Sequence, residues 1–295
     1  VKERFVLIGH PVAQSVSPAI HHQAYELLGR EAQYDLCDCP DEEAVRVQVE
    51  AIRTGKLRGA NVTVPWKKVA YNLADELHQS AIDVGVANVL SRTSEGRVIA
   101  YNTDAMALGA ELAQAMSEAG VHQQERNAAL IVGAGGAALA TVVGCYLAGI
   151  KDVAVTARRF DPQGTRSEWP GAQELARLGA QTLSWPAFGK SEVQAHLSKS
   201  CLLVQATSAG MKGKLGGEEL CEVIPWEAFR SGVAYDLVYN PPVTAYLARA
   251  KKEGHFSQGG LGMLVGQAAQ AIEIWWGKAP PMVPLMSAAQ RALGI

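Results

Sequence analysis

Long apolar runs are missing from this sequence, and none of its apolar stretches approaches the roughly 20 residues that a membrane-crossing helix needs. The first residues also lack the charged-then-apolar pattern of a secretory leader, so a cytoplasmic protein is the expectation. An excess of one charge is missing too. Lys and Arg number 27 against 29 Asp and Glu, the formal net charge is −2, and no basic stripe runs along the chain. That leaves no electrostatic reason to expect nucleic acid or an anionic membrane as a partner. Cysteine is sparse and follows no pairing pattern. Cys37, Cys39, Cys145, Cys201 and Cys221 are odd in number, sit mostly in apolar runs and lack the two-pair spacing of a zinc site. Free thiols in a reducing compartment, and no metal, are the expectation.

What is present suits an α/β enzyme. At 295 residues the chain is long for one domain and comfortable for two, and 48% hydrophobic against 19% charged residues is ordinary for a soluble protein. The most informative stretch runs from Leu130 to Arg159 and reads as strand, tight turn, helix, strand. Leu130 to Val132 is apolar, and Gly133-Ala134-Gly135-Gly136-Ala137-Ala138 has the G-x-G-x-x-A spacing that lets backbone approach a pyrophosphate. Small residues from Ala138 to Leu147 allow close packing on a sheet, while the free N–H groups and dipole of the helix start face an anion. Gly149 stops the helix, and Asp152 to Thr156 is the second strand of the βαβ unit. Where an NAD enzyme carries an acidic residue for the ribose 2′-hydroxyl, this chain has Arg158 and Arg159, which suit a 2′-phosphate. Asp161 just beyond could instead serve a ribose, and a solvated basic loop is the plain alternative.

Upstream, Phe5 to Gly9 reads as a strand, followed by Ser15-Val16-Ser17-Pro18, with Ser17 placed as N-cap and Pro18 at the first helical position. Two hydroxyls before a helix can hold a carboxylate or serve only as a cap. Ala32 to Cys37 is a second strand, Asp41 to Arg53 an amphipathic helix and Gly59 to Val64 a third strand. Asn61 and Thr63 share a face there, and Pro65 starts a helix with Lys67 in its first turn, the unfavourable end of the dipole for a cation. Val86 to Leu90, holding Asn88, and Val98 to Ala100 are short strands before Tyr101-Asn102-Thr103-Asp104, where Asp104 by residue type caps the helix from Ala105 to Ser117.

Downstream, Phe160 to Gly171 reads as a surface loop and Glu174 to Leu178 as helix. Cys201 to Gln205 is a buried strand that opens into Ala206-Thr207-Ser208-Ala209-Gly210-Met211, at a strand edge where ligands bind. Val233 to Val238 is the next strand, and Thr244 caps a helix reaching Glu253. Gly259-Gly260-Leu261-Gly262-Met263 begins the last long helix, which places Gln267 beside an apolar stripe, facing either a ligand or solvent.

Taken in order, Ser15-Val16-Ser17-Pro18, Asn61-Val62-Thr63-Val64-Pro65-Trp66-Lys67, Asn102-Thr103-Asp104, the Gly133 turn, Ala206-Thr207-Ser208, Asp236-Leu237-Val238-Tyr239-Asn240-Pro241 and Gly260-Leu261-Gly262-Met263-Leu264 resemble the shikimate dehydrogenase family over essentially the whole chain. The resemblance implies two α/β domains. An N-terminal substrate domain would span residues 1–104, completed by C-terminal helices at 263–295, and a Rossmann-type dinucleotide-binding domain would span 105–262. It implies a shikimate carboxylate held by Ser15, Ser17 and Tyr239, ring hydroxyls met by Thr63, Lys67, Asn88, Asp104 and Gln267, and Lys67 with Asp104 as the catalytic pair. Oxidising a secondary alcohol requires removal of the hydroxyl proton as hydride leaves, and Lys67 would take it while Asp104 orients the hydroxyl. NADP is the implied cofactor, with NAD possible, held by Gly133, Ala134, Gly135, Gly136, Ala137, Arg158, Arg159, Thr207, Met211, Leu237 and Gly260.

Three departures from the family pattern stand out: Ala105 and Ala107 where glycines are usual, Gln205 in place of an asparagine, and Ala157-Arg158-Arg159 in place of Asn-Arg-Thr. The expected activity is reversible, NADP-dependent reduction of 3-dehydroshikimate to shikimate, by a monomer or homodimer. A paralogue acting on quinate or an aminated analogue, and a non-catalytic dinucleotide sensor, are the competing readings.

Overall fold

Alternating short β-rich runs and amphipathic stretches build two separate sheets in the computed structural model, which describes residues 2–160, 172–187 and 189–295. The first sheet is formed by β1 (Glu3–Gly9), β2 (Ala32–Asp38), β3 (Gly59–Val62), β4 (Glu76–Leu77), β5 (Val89–Arg92) and β6 (Val98–Tyr101), in the order β2-β1-β3-β5-β6-β4. Strands β2, β1 and β3 run parallel, whereas β5 lies antiparallel to both β3 and β6. One face is covered by the helix Glu42–Arg53, whose Val45, Val49 and Ile52 join Val6, Ile8, Ala60, Val62 and Leu90 in a dry core. Asp41 accepts a hydrogen bond from the Ala44 N–H at 2.9 Å and so caps that helix.

The second sheet holds β7 (Ala128–Val132), β8 (Asp152–Thr156), β9 (Gln181–Leu183), β10 (Ser200–Gln205), β11 (Val233–Asp236) and β12 (Phe256–Gly259), all parallel, in the order β12-β11-β10-β7-β8-β9. The order reverses direction between β7 and β10, which is the doubly wound arrangement whose ligand crevice lies at the carboxyl ends of those two strands. The helix Gly136–Leu147 connects β7 to β8, and its small residues Ala138, Ala140 and Gly144 are buried. Leu130, Val132, Leu203, Ala234, Trp226 and Tyr246 belong to this sheet's core.

The chain divides into two compact units, residues 1–107 with 264–295, and residues 108–263. Both divisions fall inside helices, Asp104–Glu118 and Leu261–Trp276, and a further helix, Met282–Leu293, closes the first unit.

Several local expectations change. The helix Ser17–Leu28 makes no side-chain cap: Ser17 is its first residue, and the Ser15 hydroxyl accepts the Ser17 N–H at 3.2 Å. The third strand stops at Val62, so Thr63 lies beyond it, and Asn88 precedes β5. Strands β4, β9 and β12 add to those read from the sequence. The loop after Phe160, with Asp161, lies outside the described residues.

Candidate active site

Parallel strands deliver their following segments to one edge of a sheet, and β1 and β3 are neighbours. The segment after β1 carries Ser15 and Ser17, and the segment after β3 carries Thr63 and Lys67. The two are joined where the His10 N–H donates to the Val64 carbonyl at 3.1 Å and the Thr63 N–H donates to the Ile8 carbonyl at 2.8 Å. Gly9 makes that approach possible, since a Cβ there would lie 2.3 Å from the Thr63 methyl. The Ser15 and Ser17 hydroxyls stand 3.1 Å apart.

Lys67 opens the helix Lys67–Leu73, and its Nζ lies 2.5 Å from Asp104 Oδ2, with side-chain exposures of 14% and 6%. An ion pair this sheltered survives only if its remaining lone pairs are met. Asn88 does this. Its Nδ2 donates to Asp104 Oδ1 at 2.9 Å and to Thr103 Oγ1 at 3.0 Å, while its Oδ1 accepts the Thr103 N–H at 2.8 Å. The Gln267 Oε1 lies 3.4 Å from the same Asn88 amide nitrogen, and the Gln267 carbonyl accepts the Thr103 hydroxyl at 3.1 Å. Lys67, Asn88, Asp104 and Gln267 are therefore one hydrogen-bonded group, drawn from four segments of the first unit.

Asp104 is not the cap its residue type suggests. The Asn102 Oδ1 accepts the Ala105 N–H at 3.2 Å, and its amide donates to the Val86 carbonyl at 3.1 Å. Asn102 and Thr103 thus hold the helix start and leave both oxygens of Asp104 to Lys67 and Asn88. Asparagine just ahead of a helix is a strong capping signal, and here the cap falls to it and not to the aspartate.

In the second unit, Gly133 has φ of +120°, and a Cβ there would meet the Ala206 carbonyl and the Thr207 methyl at 2.9 Å. Gly135 precedes the helix Gly136–Leu147 and has nothing within 4 Å of a notional Cβ, so the helix start is open with its N–H groups free of side-chain capping. Arg158 and Arg159 are exposed just past β8. At the end of β10, the buried Gln205 turns its amide back on the following loop, accepting the Thr207 N–H and donating to the Ala209 carbonyl at 3.0 Å.

Asp236, at the end of β11 and fully buried, accepts the Val238 N–H at 2.9 Å and the Thr244 hydroxyl at 2.6 Å, which shapes the segment holding Leu237 and Tyr239. Burial pushes its carboxyl up to about 7. Its role was missed because a single acid at a strand end has no periodic signature. Gly260 packs on that segment, where a Cβ would stand 2.4 Å from the Leu237 carbonyl oxygen. Met211, 36% exposed, follows the same edge of β10.

Residues 7–90 match the family model for the shikimate dehydrogenase substrate binding domain, and residues 260–289 match that for the shikimate 5'-dehydrogenase C-terminal domain. A shikimate dehydrogenase (NADP(+)) from Symbiobacterium thermophilum is 34% identical over 290 residues, which are 97% of this chain and 93% of that protein. The crystal structure of shikimate 5-dehydrogenase from Thermus thermophilus in complex with NADP(H) and shikimate is 32% identical, with a TM-score of 0.77 over 99% of this chain and 100% of that one. The Listeria monocytogenes enzyme in complex with shikimate and NAD is 28% identical, with a TM-score of 0.78 over 97% and 96% of the two chains. Likeness at this level across nearly the full length of both chains means that this protein belongs to the shikimate dehydrogenase family.

Proposed function

We propose that the protein reversibly reduces 3-dehydroshikimate to shikimate with NADP in the cytoplasm, as a monomer or homodimer. The observation that carries this reading is the sheltered Lys67–Asp104 pair, clamped by Asn88 at the edge of the first sheet. A lysine and a carboxylate so placed can exchange a proton with a substrate hydroxyl and fix its direction. The unit built from residues 1–107 and 264–295 would bind substrate, and that built from 108–263 would bind the dinucleotide.

The residues present fit such a cofactor. The open helix start at Gly135, the close turn at Gly133, and the backbone of Ala134, Gly136 and Ala137 suit a pyrophosphate. Arg158 and Arg159 suit a 2′-phosphate, which favours NADP over NAD. Thr207, Met211, Leu237 and Gly260 follow strand ends of the same sheet and would line the nicotinamide side. NADPH supplies the hydride when bound.

The chain's own side chains supply the rest. Ser15 and Ser17 hold the substrate carboxylate through hydroxyls 3.1 Å apart. Thr63, Asn88 and Gln267 meet the ring hydroxyls. Lys67 Nζ gives a proton to the nascent alkoxide in reduction and takes it back in oxidation, while Asp104 and Asn88 keep the amine in line.

The test is oxidation of shikimate and of quinate with NADP and with NAD, four assays on one preparation, repeated on Lys67→Ala and Asp104→Ala. Shikimate with NADP should be the best pair, and each variant should lose about 10²–10⁴-fold in turnover. Near-normal turnover in both variants would overturn the residue assignment. Silence in all four assays would overturn the reaction.

A further inference from the structure

Cys37, in the last turn of the pleat of β2, and Cys39, just past its end, are two residues apart and share one face, with their sulfurs 3.8 Å from each other. Strand β2 is the outermost of its sheet. Cys37 is half-buried at the margin of the core beneath the helix Glu42–Arg53, whereas Cys39 is fully buried within it. The two thiols thus differ in access while sharing one contact, which is the arrangement of an attacking and a resolving cysteine. Burial, with Cys37 beside it, pushes the Cys39 thiol up to about 12, so Cys39 is protonated in the resting protein and is not the thiol that meets an oxidant first.

The backbone of Cys39 is pinned at both sides. Its N–H donates to the Gly9 carbonyl at 2.9 Å, and its carbonyl accepts the indole N–H of Trp66 at 2.8 Å. Trp66 immediately precedes the helix that begins at Lys67.

We propose that Cys37 and Cys39 form a reversible disulfide on exposure to a hydroperoxide, and that closing it loosens the start of the helix Lys67–Leu73. The Cys37 thiolate attacks one peroxide oxygen, the O–O bond breaks, and an alcohol (water, for hydrogen peroxide) leaves while Cys37 becomes a sulfenic acid. The Cys39 sulfur then attacks that sulfur. The S–O bond breaks, and water departs with the Cys39 proton. Two thiols and one hydroperoxide give one disulfide, one water and one alcohol. Sulfurs now 3.8 Å apart must close to about 2.05 Å, and since neighbouring same-face positions of a straight strand are at the upper limit for bridging, the chain bends at Asp38. That bend carries the Cys39 carbonyl off the Trp66 indole.

The experiment treats the full chain with hydrogen peroxide, quenches with an alkylating agent and maps the peptides by mass, with amide hydrogen exchange followed over residues 66–73. The expected result is a peptide containing Cys37 and Cys39 that is two hydrogens lighter and resists alkylation until dithiothreitol is added. It should form before Cys145, Cys201 or Cys221 react, with exchange over 66–73 rising several-fold and falling back on reduction. Cys37→Ser and Cys37→Ala, both at a half-exposed position, should show neither effect. Over-oxidised Cys37 beside an alkylatable Cys39, or reaction no faster than at the three other cysteines, would overturn the disulfide. A disulfide formed with unchanged exchange over 66–73 would overturn the coupling to the helix. None of these readouts depends on enzymatic turnover.

Discussion

Replacing Asn88 with alanine removes the clamp on the ion pair without touching either charge, and its cost can be worked out from two contacts. Asn88 and Thr103 are 2% and 3% exposed, so water does not replace what is lost. The 2.9 Å bond to the Asp104 carboxylate is a bond to an ionised acceptor and contributes about 1.5–3 kcal/mol. The Thr103 N–H, now bonded at 2.8 Å, would be left buried and unpaired at about 1–3 kcal/mol. Because the two contacts share a residue they do not add fully, and the expected loss is about 3–5 kcal/mol in the first unit. Urea unfolding read through hydrogen exchange of that unit's amides measures it directly. Turnover should fall about 10²-fold as Asp104 and Lys67 lose their alignment. Asn88→Asp separates the two terms, because it keeps the acceptor for Thr103 and puts a second carboxylate against Asp104. Repulsion between the two carboxylates makes the folded state hold a proton more tightly than the unfolded chain does, so this variant's deficit should grow as pH rises above the ordinary carboxylate range. A stability change under about 1 kcal/mol for Asn88→Ala would refute the reasoning.

Replacing both Arg158 and Arg159 with alanine should raise the KM for NADP about 10–100-fold and leave that for NAD nearly unchanged, since only the 2′-phosphate loses its partners; an equal rise for both cofactors would refute the assignment. His21 is fully buried, stacked on Tyr34 at 3.8 Å, and burial lowers its pKa to about 3. The folded state therefore binds fewer protons than the unfolded state below about 6.5, and stability should fall by about 1.4 kcal/mol per unit as pH drops from 6 to 4. His21→Phe should remove that slope, and a slope that survives would place its origin elsewhere. Asp236 has the opposite sign: with its folded pKa at about 7, the folded state binds more protons than the unfolded state between about 4 and 7, so its contribution is present in acid and lost as pH rises through 7. Asp236→Asn should flatten the unfolding free energy across that range, and an unchanged profile would show that Asp236 does not set it.

Periodicity carried most of the fold. Buried strands such as β7 and β10 read as apolar runs, and small residues in the helix Gly136–Leu147 announced close packing on a sheet. The strands that escaped notice, β4, β9 and β12, are short edge elements. Phe256–Gly259 has no fully buried residue and β4 spans two residues, so neither leaves an apolar run to detect. Residue type places Ser17 and Asp104 as caps, whereas each is the first residue of its helix, because residue type alone cannot tell which of several neighbouring polar groups turns back to the backbone. The tight turn at Gly133 was legible in spacing. Asp236 and Gln205 were not, since each acts on a loop that follows it, through bonds that no repeat encodes.

The triplet Asn102-Thr103-Asp104 shows why position within a polar run matters more than its presence. A helix start leaves N–H groups unpaired, and any of the three residues could meet one. Had Asp104 done so, its carboxylate would have been turned back on its own helix and Lys67 would have stood without a partner. Instead Asn102 accepts the Ala105 N–H, and Thr103 gives its N–H to Asn88 and its hydroxyl to the Gln267 carbonyl. Both Asp104 oxygens remain available, one for Lys67 and one for Asn88. The arrangement also explains why a buried amide was needed rather than a second charge: only a side chain with both a donor and an acceptor can hold Asp104 with one atom and Thr103 with the other. Asn88 is that side chain, and the geometry of the proposed catalytic pair rests on it as much as on the two residues it holds.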